Sequence, residues 1–344
     1  MILPADATDS IAIAARALAA GELVGFPTET VYGLGADAGM DSAVAKIFAA
    51  KGRPREHPLI VHVADPDPGG TAVAHFAASV PDFAQQLMRA FWPGPLTLIL
   101  PRRPGVGAAA AGGQDSIGLR CPAHLLALAL LRASSALGVH GVAGPSANRF
   151  GRVSPTTAAH VQQEFGDTLV ILDGGACAVG IESTIIDCSR GAPVLLRPGV
   201  LTPAQIEAAC GRKLFSKEEL QSADIALGAP TPRASGTLTA HYAPNARVRL
   251  MDAGALQTAL DLLGADLDHS SARIAIYSHA MLRSRSARVL QRRMPEDAGA
   301  TAQQLFAVLR EFDAQGATLI WVETVPAATE WDGVRDRLQR ASAA

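Results

Sequence analysis

The chain of 344 residues exceeds a typical single domain, which predicts two domains with substantial hydrophobic cores. Apolar residues make up 49% and charged residues 18%, while glycine and proline stay near average usage, so a disordered or low-complexity chain is excluded. The net charge is -2, with 14 basic against 16 acidic side chains over 1–205 and 16 against 16 over 206–344, so neither half is a basic module for duplex nucleic acid.

Periodicity over the first two thirds of the chain predicts alternating helices and strands. A helix over 9–20 ends at Gly21, a strand follows over 22–26, and a helix over 41–50 has Asp41 as N-cap and Gly52 just past its end. Further strands are predicted over 59–63, 96–100, 116–120, 139–143, 168–172, 183–187 and 193–197. Helices are predicted over 81–91, 123–136, 156–165 and 203–209. This order indicates one mixed α/β domain.

The pattern is interrupted over 211–238, where charges precede a Gly/Pro/Thr/Ser cluster (LGAPTPRASGT) typical of an interdomain linker. After it, strands are predicted over 247–251, 273–277, 287–290 and 318–323, and helices over 254–263, 300–314 and 328–340. These elements indicate a second, smaller α/β unit. The predicted division is a first domain at 1–208, a linker at 209–243 and a C-terminal domain at 244–344.

Apolar runs and cysteines limit the location and the chemistry. No run approaches the roughly 18 apolar residues that span a bilayer, and no secretory signal follows Met1, so a cytoplasmic chain without membrane contact is expected. The cysteines show no CxxC pair and no His at ligand spacing. Buried thiols are therefore expected rather than a disulfide frame or a zinc site.

Several common catalytic motifs are absent from the sequence. It contains no GxxxxGK[ST] phosphate loop and no HExxH motif, and GPSAN has Asn148 where the GxSxG motif needs glycine. The segment GLGADAG over 33–39 has one residue too many before its last glycine for a dinucleotide fingerprint. A Rossmann cofactor site is therefore not expected in the first domain.

Polar clusters lie instead at predicted strand ends, where mixed α/β sheets bind ligands. The first, FPTETVYGLG over 26–35, joins hydroxyls and a carboxylate to glycines that let backbone approach a ligand; a turn stabilised by its own Thr side chains is the alternative. The second, KGRPREHP over 51–58, displays Lys51 and Arg53 two residues apart. This pair suits a phosphate clamp, and solvated surface charge is the alternative.

Two more clusters follow in the second half of the first domain. In the third, GPSAN over 144–148 and Ser154-Pro-Thr156 offer hydroxyls, an amide and free backbone N–H groups to an anionic oxygen. A plain helix cap is the alternative role for Ser154. In the fourth, GIESTII over 180–186 precedes LRPG over 196–199, where Arg197 adds a cation at a strand end.

The clusters together favour one kind of chemistry. His62 lies within an apolar strand, where a core histidine is the alternative to a ligand contact. The inventory contains many hydroxyls and four cations, but no nucleophile paired with a base; the cations are Lys51, Arg53, Arg120 and Arg197. It predicts binding of a polyanion in alignment with a second reactant.

The ordered set FPTETVYGLG, KGRP with PLIVHV, GPSAN with SPT, GIESTIID, LRPG and HYAP at 241–244 resembles the YrdC-like threonylcarbamoyl-AMP synthases in their long two-domain form. The resemblance covers essentially the whole chain, most strongly over 20–205. It implies a mixed twisted sheet with helices in a YrdC-like catalytic domain, and a Rossmann-like C-terminal domain. It also implies a nucleotidyltransferase that converts L-threonine, bicarbonate and ATP into L-threonylcarbamoyl-AMP and pyrophosphate for tRNA modification.

The resemblance implies a role for each matching residue. Lys51 and Arg53 are the implied catalytic cations. The implied ATP-binding residues are Lys51, Arg53, His57, Ser116, Ser146, Asn148, Ser154, Arg197 and Tyr242. The implied threonine pocket consists of Thr30, His62, Arg120 and Ser183. No protein ligand to a metal is implied, because Mg²⁺ would arrive on the ATP phosphates. The product would pass to a separate tRNA threonylcarbamoyl transferase, and direct contact with tRNA stays open.

Two departures from the family pattern concern the nucleotide side. His57 stands where the pattern often has Asn, and SGTLTA over 235–240 replaces the basic PGMKYR before HYAP. A lid formed by 233–242 would therefore contribute fewer cations.

Two other functions remain open from the sequence. A non-catalytic RNA-binding module is disfavoured by the missing basic excess. A carbamoyltransferase that uses carbamoyl phosphate is disfavoured because the chain has neither an added N-terminal module nor CxxC pairs.

Overall fold

The structure is a computed structural model that describes residues 1–4, 9–217, 219, 231–264 and 272–344. The chain forms two compact units. The first contains Met1–Phe150 and Ser154–Thr237, and the second contains Gly151–Val153 and Leu238–Ala344. The predicted linker at 209–243 includes 218 and 220–230, which lie outside the described residues. The predicted three-part division therefore stays a prediction.

Among the described residues, the first unit contains ten strands and seven helices. The strands are β1 (Ile2–Pro4), β2 (Val24–Phe26), β3 (Gly33–Asp37), β4 (Ile60–His62), β5 (Leu96–Pro101), β6 (Ser116–Arg120), β7 (Val142–Ala143), β8 (Val170–Asp173), β9 (Thr184–Asp187) and β10 (Val194–Arg197). The helices are α1 (Ser10–Ala19), α2 (Asp41–Lys51), α3 (Thr71–Phe76), α4 (Asp82–Phe91), α5 (Leu125–Ser135), α6 (Ala158–Phe165) and α7 (Pro203–Cys210).

The ten strands form one mixed sheet in the order β1-β8-β2-β3-β7-β4-β6-β5-β9-β10. The pairs β1/β8, β2/β8, β4/β6 and β5/β9 are parallel, and the other pairs are antiparallel. His62 on β4 is in register with Arg120 on β6 and with Val142 on β7. The predicted mixed α/β fold is confirmed, and its central register brings two predicted site residues side by side.

The sequence does not predict β1, β3 or α3, and β3 shows why. Its segment GLGAD suggests a flexible loop, but it pairs antiparallel with β2 and with β7. A Cβ atom added to Gly33 would lie 2.7 Å from the ring of Phe26, which is fully buried. The glycine is therefore required by the close approach of two strands rather than by flexibility.

Helix ends also differ in detail from the sequence patterns. Asp41 is the first residue of α2 and not its N-cap, which is Met40. Gly52 closes α2 in the left-handed conformation with φ 63°, as its position predicts. The four cysteines are buried, as predicted.

The second unit contains a parallel four-stranded sheet in the order β11-β14-β12-β13. Its strands are β11 (Arg247–Met251), β12 (Ile274–Ser278), β13 (Leu290–Arg293) and β14 (Leu319–Glu323). Its helices are α8 (Ala253–Leu263), α9 (Ala298–Ala314) and α10 (Asp332–Ser342), with a 3-10 turn at Thr329–Trp331. The predicted second α/β unit is confirmed. In the described ranges of the whole chain, no helix combines the length and apolarity needed to cross a membrane.

The contact between β2 and β3 predicts the effect of a substitution. We expect Gly33→Ala to lower the free energy of unfolding by about 1–3 kcal/mol, because the added methyl group overlaps the buried Phe26 ring. The matched control is Gly118→Ala on β6, where the nearest atom to an added Cβ lies 3.5 Å away. Denaturant unfolding followed by circular dichroism measures both variants, and equal stability of the two would contradict the packing argument.

Candidate active site

Arg120, the last residue of β6, forms the centre of a buried polar group in the first unit. Its guanidinium donates from Nε to the Gly94 carbonyl at 3.2 Å, from Nη1 to Thr30 Oγ1 at 2.8 Å and from Nη2 to Glu29 Oε1 at 2.6 Å. Arg120 is 3% exposed. Two residues of the predicted threonine pocket, Thr30 and Arg120, are therefore in direct contact.

The direction of the hydrogen bonds around Thr30 follows from its neighbours. The Thr28 hydroxyl donates its single proton to the Val31 carbonyl at 2.6 Å, so in the 2.9 Å contact between the two threonine hydroxyls Thr30 is the donor. Thr30 Oγ1 then accepts from Arg120. Because the Thr30 hydroxyl already donates its one proton to Thr28, it can only accept further hydrogen bonds. One lone pair remains to accept from an ammonium or hydroxyl group of a substrate.

His62 lies beside Arg120 and is 3% exposed. Burial, together with the positive charge of Arg120, lowers the pKa of His62 to about 3, although a hydrogen bond to the Val142 backbone opposes the shift. Nδ1 has no hydrogen-bond partner among the described residues. The ring is therefore neutral at physiological pH, and we infer that Nε2 carries the proton toward Val142 and that Nδ1 is an acceptor.

Lys51, the last residue of α2, is buried against the loop that follows β7. Its Nζ donates to the Ser146 carbonyl at 2.6 Å and to the Asn148 carbonyl. Burial is the largest cause that lowers the pKa of Lys51, and the positive charge of Arg53 adds to it. The loop therefore contacts the ammonium through backbone oxygens, whereas the Asn148 amide donates to the Arg149 carbonyl at 2.8 Å.

Arg53 and Arg197 approach each other at Ser235. Arg53 Nη2 donates to the Ser235 hydroxyl at 3.2 Å, and Arg197 Nη1 donates to the Ser235 carbonyl at 3.0 Å. Both arginines are buried, at 8% and 3% exposure. Lys51, Arg53 and Arg197, three of the predicted ATP ligands, are called the triphosphate cluster below. Arg53 and Arg197 share Ser235, which is not among the predicted site residues, and the charge of Arg53 acts on Lys51.

Ser183 connects the two predicted groups of residues. It belongs to the predicted threonine pocket, but its carbonyl accepts from Arg197 Nε and Nη2 at 3.0 and 2.9 Å. Its hydroxyl accepts from Arg197 at 3.2 Å and lies 2.7 Å from Thr97 Oγ1. The predicted amino-acid and nucleotide sides therefore meet at Ser183.

The remaining predicted residues of the first unit lie around this core. The Ser154 hydroxyl donates to Glu182, and the N-cap of α6 is Thr157, so Ser154 is not a helix cap. His57 packs edge-on to Phe150 with ring centroids 5.5 Å apart. The guanidinium of Arg53 lies 5.7 Å from the same ring. Burial and then Arg53 lower the pKa of His57.

Ser116 is the first residue of β6. It lines a narrow pocket between the sheet and residues 233–235. Its other lining side chains are largely apolar, including Ile60, Ile99 and Ile185, with Thr97 beside them.

Tyr242 lies in the second unit and is fully buried there, with φ 62°. Its ring stacks on Phe306 at 5.5 Å, and the guanidinium of Arg337 lies 5.3 Å from it. The predicted role of Tyr242 in ATP binding stays a prediction.

Four contacting residues were missed from the sequence: Glu29, Thr97, Glu182 and Ser235. Glu29 and Glu182 lie within quoted motifs, FPTETVYGLG and GIESTII, so their position beside predicted residues was the available signal. Ser235 opens the segment SGTLTA of the predicted lid at 233–242, whereas Thr97 carries no comparable signal.

Burial raises the pKa of Cys121 and of Cys177 to about 12, so neither thiol is a ready nucleophile.

The buried neutral His62 predicts a pH dependence of stability. Its pKa in the folded chain lies below the ordinary 6.5, so the unfolded chain binds the proton first. The contribution of the buried neutral imidazole to the free energy of unfolding is fully present above pH 6.5. It is lost as the pH falls toward 3, with a slope of up to about 1.4 kcal/mol per pH unit. We expect His62→Gln to lack this slope between pH 6.5 and 5 in urea unfolding. Parallel curves for the two proteins would contradict a buried neutral imidazole.

Comparison with known proteins identifies relatives of the whole chain. Residues 16–199 match the Sua5_yciO_yrdC family, described as telomere recombination, and residues 201–343 match the threonylcarbamoyl-AMP synthase C-terminal domain. A threonylcarbamoyl-AMP synthase of Pyrococcus abyssi is 37% identical over 335 residues, which cover 96% of this chain and 94% of the relative. That of Bacillus subtilis is 36% identical over 340 residues, which cover 96% and 92%.

A solved structure extends the likeness to three dimensions. The crystal structure of P. abyssi Sua5 complexed with L-threonine matches with a TM-score of 0.84 and 35% sequence identity. The match covers 99% of this chain and 97% of that chain.

Proposed function

Because the chain belongs to the Sua5/YciO/YrdC family, in the form with the threonylcarbamoyl-AMP synthase C-terminal domain, we propose a mechanism of threonylcarbamoyl-AMP synthesis for its buried site. The enzyme is a nucleotidyltransferase in tRNA modification whose substrates include L-threonine and ATP. The carbonyl donor is bicarbonate. The balanced reaction joins threonine, bicarbonate and ATP and releases pyrophosphate and water.

The threonine pocket holds the amino acid by complementary charges and lone pairs. The contacts of Arg120 with the protein use three of its five N–H donors. The other two N–H groups bind the threonine carboxylate. Thr30 Oγ1 and His62 Nδ1 are acceptors, so on binding they complement hydrogen-bond donors of the substrate. The threonine amine and hydroxyl are those donors.

The triphosphate cluster holds ATP, which brings Mg²⁺ on its phosphates. Lys51, Arg53 and Arg197 are buried cations that neutralise phosphate charge without water. Ser146, Asn148 and Ser154 complete the phosphate side, and His57 and Ser116 complete the nucleoside side. The phosphates replace Ser235 as the partner of Arg53 and Arg197.

The observation that carries the mechanism is the contact of Arg197 with Ser183, which joins the phosphate and threonine sides. Once its ammonium has released a proton to solvent, the threonine amine attacks the carbon of carbon dioxide, or of bicarbonate with loss of water, and a carbamate forms. A carbamate oxygen then attacks the α-phosphorus of ATP, and pyrophosphate leaves. Holding both anions in one water-poor cavity supplies proximity and charge stabilisation, so no protein nucleophile is needed.

The product serves a later step in tRNA modification. A separate tRNA threonylcarbamoyl transferase receives the labile adenylate. Direct contact with tRNA and a cytoplasmic location stay predictions.

Substitutions on the two sides separate their roles. We expect Lys51→Met to lower threonine-dependent pyrophosphate release by about 100-fold, because one buried cation of the triphosphate cluster is lost. We expect Arg120→Lys to raise KM for threonine by about tenfold or more, because the planar fork is lost although the charge is kept. Initial rates with ATP, Mg²⁺ and bicarbonate, with and without threonine, measure both effects.

Lys46→Met is the matched control, because Lys46 pairs with Glu22 at the surface. It should leave both parameters unchanged. Pyrophosphate release that ignores threonine in the unsubstituted enzyme would overturn the proposed mechanism. Full activity of Lys51→Met would contradict the proposed role of Lys51 in binding the ATP phosphates.

A further inference from the structure

We infer that Glu29 is a positioning residue for the substrate carboxylate: its buried carboxylate fixes the guanidinium of Arg120 in the orientation that receives threonine. This inference rests on the proposed function. It concerns a residue that touches no substrate itself but acts through Arg120.

Both oxygens of Glu29 are engaged by different parts of the first unit. Oε1 accepts from Arg120 Nη2 at 2.6 Å, and Oε2 accepts from the Ala123 backbone N–H at 3.0 Å. The side chains of Arg120 and Glu29 are only 4% and 11% exposed. A short, charge-assisted hydrogen bond in a buried environment has little freedom to rearrange. The carboxylate is therefore a fixed reference point for the guanidinium.

Glu29 and two other groups each hold a different nitrogen of the Arg120 guanidinium. Nε is held by Gly94 and Nη1 by Thr30, so the contact with Glu29 is the one that anchors Nη2. These three bonds leave one N–H group on each Nη nitrogen. A planar guanidinium binds a carboxylate well only when both the position and the plane of its fork are correct. Without Glu29, Nη2 loses its anchor and the fork can rotate.

Glu29 also determines the charge of the pocket. Its negative charge balances Arg120, and His62 is neutral because its burial lowers its pKa to about 3. The three groups together carry no net charge, which matches the zwitterion of free threonine. An amino acid with a carboxylate therefore gains from the orientation of Arg120 rather than from an excess of positive charge.

Binding measurements with two ligands test the role. L-Threoninamide has a neutral amide in place of the carboxylate. In isothermal calorimetry on the full chain, we expect Glu29→Ala to weaken threonine binding by about tenfold or more and threoninamide binding by about twofold at most. Glu29→Gln keeps an oxygen acceptor for Nη2, so we expect it to recover part of the threonine affinity. KM for ATP should stay within about twofold in both variants.

Each outcome separates positioning from a structural role. If Glu29 only holds the fold, Glu29→Ala weakens threonine, threoninamide and ATP alike, and the inference is overturned. If Glu29→Ala does not fold, Glu29→Gln carries the test: a preference for threonine over threoninamide reduced by about threefold or more supports the inference, and an unchanged preference overturns it.

A control and the unsubstituted enzyme keep the two hypotheses distinct. Glu22→Ala removes a carboxylate that is 63% exposed, and it should leave both affinities unchanged. Failure of the unsubstituted enzyme to release pyrophosphate in response to threonine would refute the proposed function whatever Glu29 does. Normal turnover together with an unchanged ligand preference in the Glu29 variants would refute only the positioning role.

Discussion

A positive side chain is stable inside a protein only where oxygen atoms replace the water that it has lost. Among its described residues, the first unit buries Lys51, Arg53, Arg120 and Arg197, and each of these side chains donates to oxygen atoms of the protein. Lys51 is enclosed by carbonyls of the loop at 144–148, Arg120 by Glu29, Thr30 and Gly94, and Arg197 by Ser183 and Ser235. The loops around the site therefore take the conformations that these cations require. Under the proposed function the phosphates then take the place of Ser235 beside Arg53 and Arg197.

Close packing between β2 and the centre of the sheet surrounds His62. A Cβ on Gly144 would lie 2.9 Å from the Phe26 ring and 3.0 Å from His62 Nδ1, so a glycine lets strand end, aromatic ring and imidazole meet. The rings of Phe26 and His62 pack edge to face at 5.4 Å. This packing fixes the imidazole and excludes water from it, and the loss of water is the main reason that its pKa is low. The neutral acceptor at His62 is thus a consequence of β2 packing against the centre of the sheet.

The sequence predicted regular elements well and missed those that depend on distant partners. β6, with alternating apolar residues, was placed at its observed bounds of Ser116–Arg120. β3 was missed because its glycines and alanine have low strand propensity, and its pairing with β2 and β7 outweighs that preference. α3 spans only Thr71–Phe76, too short for a helical period to be visible.

The site shows the same limit. Charged residues could be selected from motifs, but their partners could not, because Glu29 and Arg120 are 91 residues apart and Arg53 and Ser235 are 182 apart. Only the register of β4 with β6 and the loops beyond them brings such pairs together. A motif indicates which residue types carry the chemistry, whereas the acceptors that stabilise a buried charge are determined by the tertiary fold.

The two ends of the site differ in charge, and under the proposed function this difference gives the reaction a direction. Free threonine is a zwitterion with no net charge, and it matches the balanced pair of Arg120 and Glu29. Formation of the carbamate removes the ammonium charge and adds a second negative group, so the substrate becomes a dianion. Beyond Ser183, the cations of the triphosphate cluster offset the charge of the ATP phosphates and so lower the repulsion between this dianion and ATP. The carbamate oxygen can therefore approach the α-phosphorus once it has formed.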